Sequence, residues 1–272
     1  MLTSINPATG ETIDTWQELD ADGVETALAR AEAAFRSWRD SPLEKRAALL
    51  LAIADAWEAN KQHLAETATR EMGKTLASAV AEVEKCISGF RHYAKNGAAY
   101  LEPVTVQTAS GHAVARWLPM GPVLAVMPWN FPYWQVVRFL APTIMAGNVG
   151  LLKHASNVQG CAVLIQQMAS AAGAPDGLFQ NLAVKSDKVS AIIADRRGGG
   201  GAPPRRQRGG GPGGGRGRGW ARVGFPWSPP VPSQKIGGSV PPSALASSAP
   251  PGMAGAKPAR PCLLPARWML RG

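Results

Sequence analysis

The sequence predicts an α/β fold: N-terminal helices, then an incomplete parallel sheet, then a disordered C-terminal tail. Three observations predict it. Apolar residues recur at helical spacing from Val24 to Phe90, the signature of helices with one buried face. Short apolar strands alternate with helical stretches from Val123 to Ala194, as when crossover helices join parallel strands. From Gly198 onward 18 of 75 residues are Gly and 14 are Pro, and such a segment buries too little apolar surface to offset its ordering entropy.

The elements follow in order. Leu2 to Leu19 holds a Pro-Ala-Thr-Gly turn with Asn6 before it, and reads as a β-hairpin. From Asp22, the stripe Val24, Ala27, Leu28, Ala31, Ala34 and Phe35 makes one helix, ending near Ser41-Pro42. A second helix is expected from about Pro42 to Met72, with Pro42 and Glu44 suiting its first turn and Gly73 closing it. A third spans roughly Thr75 to Asn96 with Val80, Val83, Cys86, Ile87 and Phe90 inward, so Cys86 reads as a buried structural thiol. Pro103–Gln107 and His112–Leu118 alternate around Ser110-Gly111, a second hairpin. Then come strands at Val123–Met127, Val149–Lys153 and Leu178–Val184, with helices at Trp134–Ala146, Gln159–Ala172 and Asp187–Ala194. That succession describes a Rossmann-like sheet that stops at Arg196-Arg197. Its last strand is expected to present an uncovered edge and one unburied face.

Charge divides the chain in two. All 19 Asp and Glu lie at or before Asp195 beside 16 Lys and Arg, a formal charge of −3. Residues 196–272 carry 13 Lys or Arg and no acid, so the net +10 belongs to the tail. Charge alone predicts non-specific binding of polyanions there. Cys86, Cys161 and Cys262 lie far apart with no Cys-x-x-Cys spacing, which argues against a disulfide framework or a zinc site, and no metal is expected. No signal peptide is evident, and the apolar stretch from Gly121 to Val126 is far too short to span a bilayer. A cytoplasmic protein without membrane contact is the expectation.

Met127-Pro128-Trp129-Asn130-Phe131-Pro132 follows the first α/β strand directly, and Ala146-Gly147-Asn148 and Leu151-Leu152-Lys153 come after it. With these residues the chain resembles the aldehyde dehydrogenase superfamily. Within it the likeness is to bacterial succinate-semialdehyde dehydrogenases, through Trp134-Gln135, Leu151 to Ala155, Asn6 to Glu11 and Arg70-Glu71-Met72-Gly73-Lys74. The resemblance covers residues 1 to about 197. It implies a partial aldehyde dehydrogenase fold in three regions: 1–118 with the hairpins and helices, including an oligomerisation-type hairpin; 119–197, a partial NAD(P)-binding domain; and the tail, 198–272.

The resemblance also implies roles. Asn130, at the carboxyl end of a strand where open α/β sheets bind ligands, becomes an oxyanion-hole donor, since a neutral amide stabilises a developing oxyanion without competing for a proton. The other reading is a turn residue capping the next helix. Met127, Pro128 and Trp129 would line the cofactor cleft, or be ordinary core. Lys153 would bind the adenosine ribose and suit a 2′-phosphate, or be a solvated strand-end lysine. Ser156 stands where many relatives carry a ribose-binding Glu, which leaves both NAD and NADP open as cofactors. Arg138, eight residues after Asn130, would bind the substrate carboxylate through paired donors, or form a structural salt bridge. The intact family acts on small aldehydes as a homo-oligomer.

Its nucleophile lies in Gly-Gln-x-Cys and its general base in Glu-Leu-Gly-Gly, and neither motif occurs in this sequence. Cys161 matches a noncatalytic cysteine of the sub-family. The chain is therefore expected to be truncated before its catalytic Cys and Glu and to be inactive. A frameshift in a GC-rich gene would give an acid-free, Gly/Pro/Arg-rich tail starting in mid-fold. The alternative is a nucleic-acid-binding fusion, since Gly213 to Gly219 resembles Arg-Gly segments that bind RNA.

Overall fold

Asn6 sets the first turn: its side-chain oxygen accepts the Ala8 N–H at 2.9 Å. Gly10, at φ 76°, completes the antiparallel hairpin of β1 (Leu2–Ile5) and β2 (Thr12–Trp16). The computed structural model describes residues 1–108 and 111–197. The expectations for the tail, its disorder and its polyanion binding included, lie outside the described residues, as does Ser110.

Asp20 caps α1 (Ala21–Trp38), accepting the Gly23 N–H at 2.8 Å. The single helix expected over 42–72 is two, α2 (Leu43–Ala59) and α3 (Lys61–Met72). Asn60 breaks it. Its side-chain amide donates to the Ala56 carbonyl at 2.8 Å and its backbone leaves helical geometry at φ −110°, ψ 15°, the competition that keeps Asn out of helix interiors. Helix α4 (Leu76–Tyr100) starts on Thr75, whose hydroxyl accepts the Ser78 N–H at 3.3 Å. Strands β3 (Val104–Thr108) and β4 (Gly111–Ala115) form the second hairpin.

The sheet has three parallel strands, in the order β5 (Pro122–Val126), β6 (Val149–Lys153) and β7 (Phe179–Asn181). Helix α5 (Trp134–Met145) links β5 to β6, and α6 (Gln159–Ala171) links β6 to β7. A 3₁₀ turn at Ser186–Lys188 and α7 (Val189–Ala194) follow. The last strand is shorter than expected and better covered. Gly150 and Phe179 are paired and face Leu140 of α5, so the neighbouring Gln180 points to the other face. There its amide donates to Ala27 O of α1 at 3.0 Å. Neither face of β7 is open, because α1 covers the one that crossover helices leave bare. At its outer edge the Asn181 N–H donates to the Gln166 side chain at 2.7 Å, and Ala183 O accepts the Leu19 N–H at 2.9 Å.

Helix α5 is held at its carboxyl end by two earlier residues. Trp38 Nε1 donates to Ile144 O at 3.1 Å, and Arg46 Nη1 to Met145 O at 3.2 Å. Arg46 also donates to Arg39 O and Ser41 Oγ, and this cation at the negative end of a helix is favourable. Gly147 turns beneath it at φ 81°, where an added Cβ would lie 2.7 Å from Arg46 Nη1. Gly147→Ala is therefore expected to cost about 2 kcal/mol or more. Gly10→Ala, with a similar φ and nothing within 4 Å of the new Cβ, should cost less than half as much. Urea midpoints of both variants check this, and equal losses would show that the Arg46 contact is harmless.

One continuous hydrophobic core runs from α1 to Ile192. At its centre Trp57 meets Phe90 and Tyr133 edge-on, with ring centroids 5.5 and 5.4 Å apart, the arrangement aromatic quadrupoles favour. Among the described residues no helix is long and apolar enough to cross a membrane.

Candidate functional site

Strands β5 and β6 end side by side, and the last backbone bond between them carries the chain into the site: the Met127 N–H donates to Lys153 O at 3.0 Å. Met127 is buried beneath the turn, while Pro128, Trp129 and Asn130 are exposed along its rim. Met127, Pro128, Trp129, Asn130 and Lys153 thus share the carboxyl edge of the sheet. Ser156 opens the 3₁₀ turn Ser156–Val158 that leads from β6 into α6, and is half-buried. Arg138 lies at the start of the second turn of α5, half-buried and engaged with neighbouring groups.

Lys153 is 5% exposed. Its ammonium donates to Ser186 Oγ at 3.2 Å, and among the described residues no carboxylate lies within ion-pair distance. Burial lowers its pKa below the usual lysine value. A buried cation with only a hydroxyl for company suits a ligand that brings oxygens and negative charge.

Sequence reasoning passed over the residues that hold this edge in place. His154 is fully buried. Its Nδ1 accepts the Ala155 N–H at 2.8 Å, so the proton sits on Nε2, which lies 2.9 Å from Pro132 O and donates to it. Burial pulls its pKa from 6.5 to about 4, with the nearby Lys153 charge acting the same way. The imidazole thus ties the β6 end to the Asn130 turn as a neutral bracket.

Two glutamates seat the helices that flank the edge. Glu82 of α4 accepts the N–H groups of Tyr133 and Trp134 at 2.9 and 2.8 Å, at the start of α5. Glu71 of α3 accepts those of Gly160 and Cys161, both at 2.8 Å, at the start of α6, and the Ser4 hydroxyl at 2.6 Å. Each carboxylate sits at the positive end of a helix and satisfies donors left over there. Glu71 stands in the motif quoted above and Glu82 on a helix with a legible stripe. Only the stripe could have signalled Glu82, as an acid among its inward residues.

Cys161 is fully buried in α6. Burial, with the charge of Glu71 adding to it, raises its thiol pKa well above the usual range, which keeps it protonated and unreactive. Cys86 is buried in α4 with its pKa likewise raised, mainly by burial.

Known proteins are similar to this chain. Succinate-semialdehyde dehydrogenase [NADP(+)] 1 of Mycobacterium tuberculosis is 49% identical over 199 residues, covering 72% of this chain and 44% of that protein. The Mycobacterium leprae succinate-semialdehyde dehydrogenase [NADP(+)] is 47% identical over the same length. The crystal structure of the Streptococcus pyogenes succinic semialdehyde dehydrogenase, in complex with NADP+, superposes with a TM-score of 0.71 at 35% identity, over 72% of this chain and 44% of that one. The chain therefore spans less than half the length of these relatives. A family model described as the aldehyde dehydrogenase family matches residues 1–198, and with that match, this sheet edge and these relatives, the chain belongs to the aldehyde dehydrogenase family.

Proposed function

We propose that residues 1–197 form the cofactor-side part of an NAD(P)+-dependent aldehyde dehydrogenase that oxidises succinate semialdehyde, and that NADP+ suits it better than NAD+. Lys153 carries the proposal: a buried ammonium at the sheet edge with no carboxylate partner among the described residues. Ser156, in place of an acid, removes one negative charge that would repel a 2′-phosphate. The relatives named for NADP+ and for succinate semialdehyde support both choices. The bound cofactor would supply the hydride acceptor. Lys153 would hold its ribose and 2′-phosphate, with Met127, Pro128 and Trp129 forming the wall of the cleft. Asn130 would donate its amide to the oxyanion as it develops, and Arg138 would receive the distal carboxylate of the substrate. A homo-oligomer is the expected assembly of the intact enzyme.

The 2′-phosphate gives a direct test on the chain itself. Adenosine 2′,5′-bisphosphate is expected to bind about ten- to a hundredfold more tightly than 5′-AMP, the range of a charge-assisted contact. Lys153→Met should remove the difference. Equal affinity of the unaltered chain for both probes would sink the NADP+ assignment.

The 272 residues hold neither the nucleophile motif nor the general-base motif, and catalysis needs both groups. Assayed alone with succinate semialdehyde and either cofactor, the chain is expected to show no rate above a blank without protein. A measurable rate lost on Cys161→Ala would overturn this.

A further inference from the structure

We propose that Lys74 is a positioning residue for the Asn130 turn, acting through Phe131, a role that rests on Asn130 being the oxyanion donor. Lys74 sits in a rigid joint. Gly73 closes α3 at φ 78°, its N–H donating to Thr69 O, and Thr75 caps α4. From this joint the ammonium reaches two partners. It forms an ion pair with Glu82 Oε2, the two side chains 8% and 2% exposed, and it lies 4.6 Å from the centroid of the Phe131 ring.

The other carboxylate oxygen of Glu82 accepts the N–H groups of Tyr133 and Trp134, and His154 Nε2 donates to Pro132 O. The far side of the turn is therefore pinned through its backbone. The near side, Pro128 to Phe131, is exposed; its Phe131 carbonyl accepts the Gln135 N–H at 3.2 Å, and the Lys74–Phe131 contact adds a side-chain anchor next to Asn130. A cation over an aromatic face is attractive and directional. Ring contact and backbone bond together fix Phe131, and with it the direction in which the Asn130 amide leaves the chain. An oxyanion donor stabilises charge only when aimed beforehand, so Lys74 sets the aim without touching substrate.

Nuclear magnetic resonance on the full chain tests this, with the Asn130 side-chain amide assigned by its loss in Asn130→Asp. The unaltered chain and Lys74→Arg are expected to show one sharp Asn130 amide signal. Backbone order parameters for residues 129–131 should then lie near the rigid value of about 0.85. Phe131→Leu leaves the Lys74–Glu82 pair intact and removes only the ring. It should broaden or split the Asn130 signal and drop those order parameters below about 0.6, while residues of α4 and α5 stay rigid. Lys74→Met should do the same where it folds. An unmoved Asn130 signal in Phe131→Leu overturns the proposal, whatever Lys74→Met does. No cofactor or substrate enters the measurement, so the positioning can fail while Asn130 remains the oxyanion donor, and the converse holds equally.

Discussion

Glu82→Ala is expected to destabilise the folded segment by about 3–5 kcal/mol, the cost of breaking a buried ion pair from one side. Three groups lose their partner together. Lys74 stays behind as a mostly buried cation, and the Tyr133 and Trp134 N–H groups at the start of α5 lose their acceptor. Glu82→Gln should recover only part of the loss, because its amide keeps one acceptor oxygen but turns a donor towards the Lys74 ammonium. Surface pairs give the contrast. Arg36 and Glu32 form an exposed i,i+4 pair at 2.8 Å, and Glu32→Ala should cost well under 1 kcal/mol. Urea denaturation of the three variants decides the matter. A loss for Glu82→Ala no larger than that for Glu32→Ala would mean the carboxylate caps nothing that water cannot cap.

Acid should loosen the fold through His154. Above about pH 6.5 the ring is neutral in both the folded and the unfolded chain, and it contributes no pH dependence. Between about 6.5 and about 4 only the unfolded chain takes up the proton, so stability falls with pH across that window. A difference of this size corresponds to roughly 3 kcal/mol in all. Below about 4 the folded form protonates as well, and the term stops changing. Protonation would also cost the bond from Ala155 N–H to Nδ1, so the β6 end should fray before the rest. His154→Gln is expected to flatten the curve of stability against pH between 4 and 6.5. A curve as steep as that of the unaltered chain would assign the acid sensitivity to other groups.

Periodicity located nearly every element, since a buried stripe or an alternating run is written locally. The helix expected over 42–72 failed at Asn60 because the pattern of apolar residues continues through it; a single side chain bonded to Ala56 O makes the break. The α/β strands were legible, but the cover over β7 was not. It comes from α1, some 150 positions earlier, through a contact such as Gln180 to Ala27. The same distance hid the supports of the site. Asn130, Lys153 and Arg138 stand in short motifs that resemblance could carry over. Glu71, Glu82 and His154 act on partners 22 to 90 positions away, and a single sequence holds no record of such a pairing. His154 stands in the Leu151 to Ala155 stretch quoted above, directly after a strand that is buried throughout, but nothing in that stretch names Pro132 as its partner.

The caps of α5 and α6 have a consequence for the order in which the chain is made. Glu82 and Glu71 precede the helices whose first turns they satisfy, and Trp38 and Arg46 precede the carbonyls they bind at the end of α5. During synthesis the amino-terminal helices leave the ribosome first. When residues 134–145 emerge, acceptors for their leading N–H groups and donors for their trailing carbonyls are already on the growing chain. Helix α5 can be fixed at both ends and α6 at its start without waiting for a strand still inside the exit tunnel, so the three strands can be laid down one at a time against a frame that exists before they do.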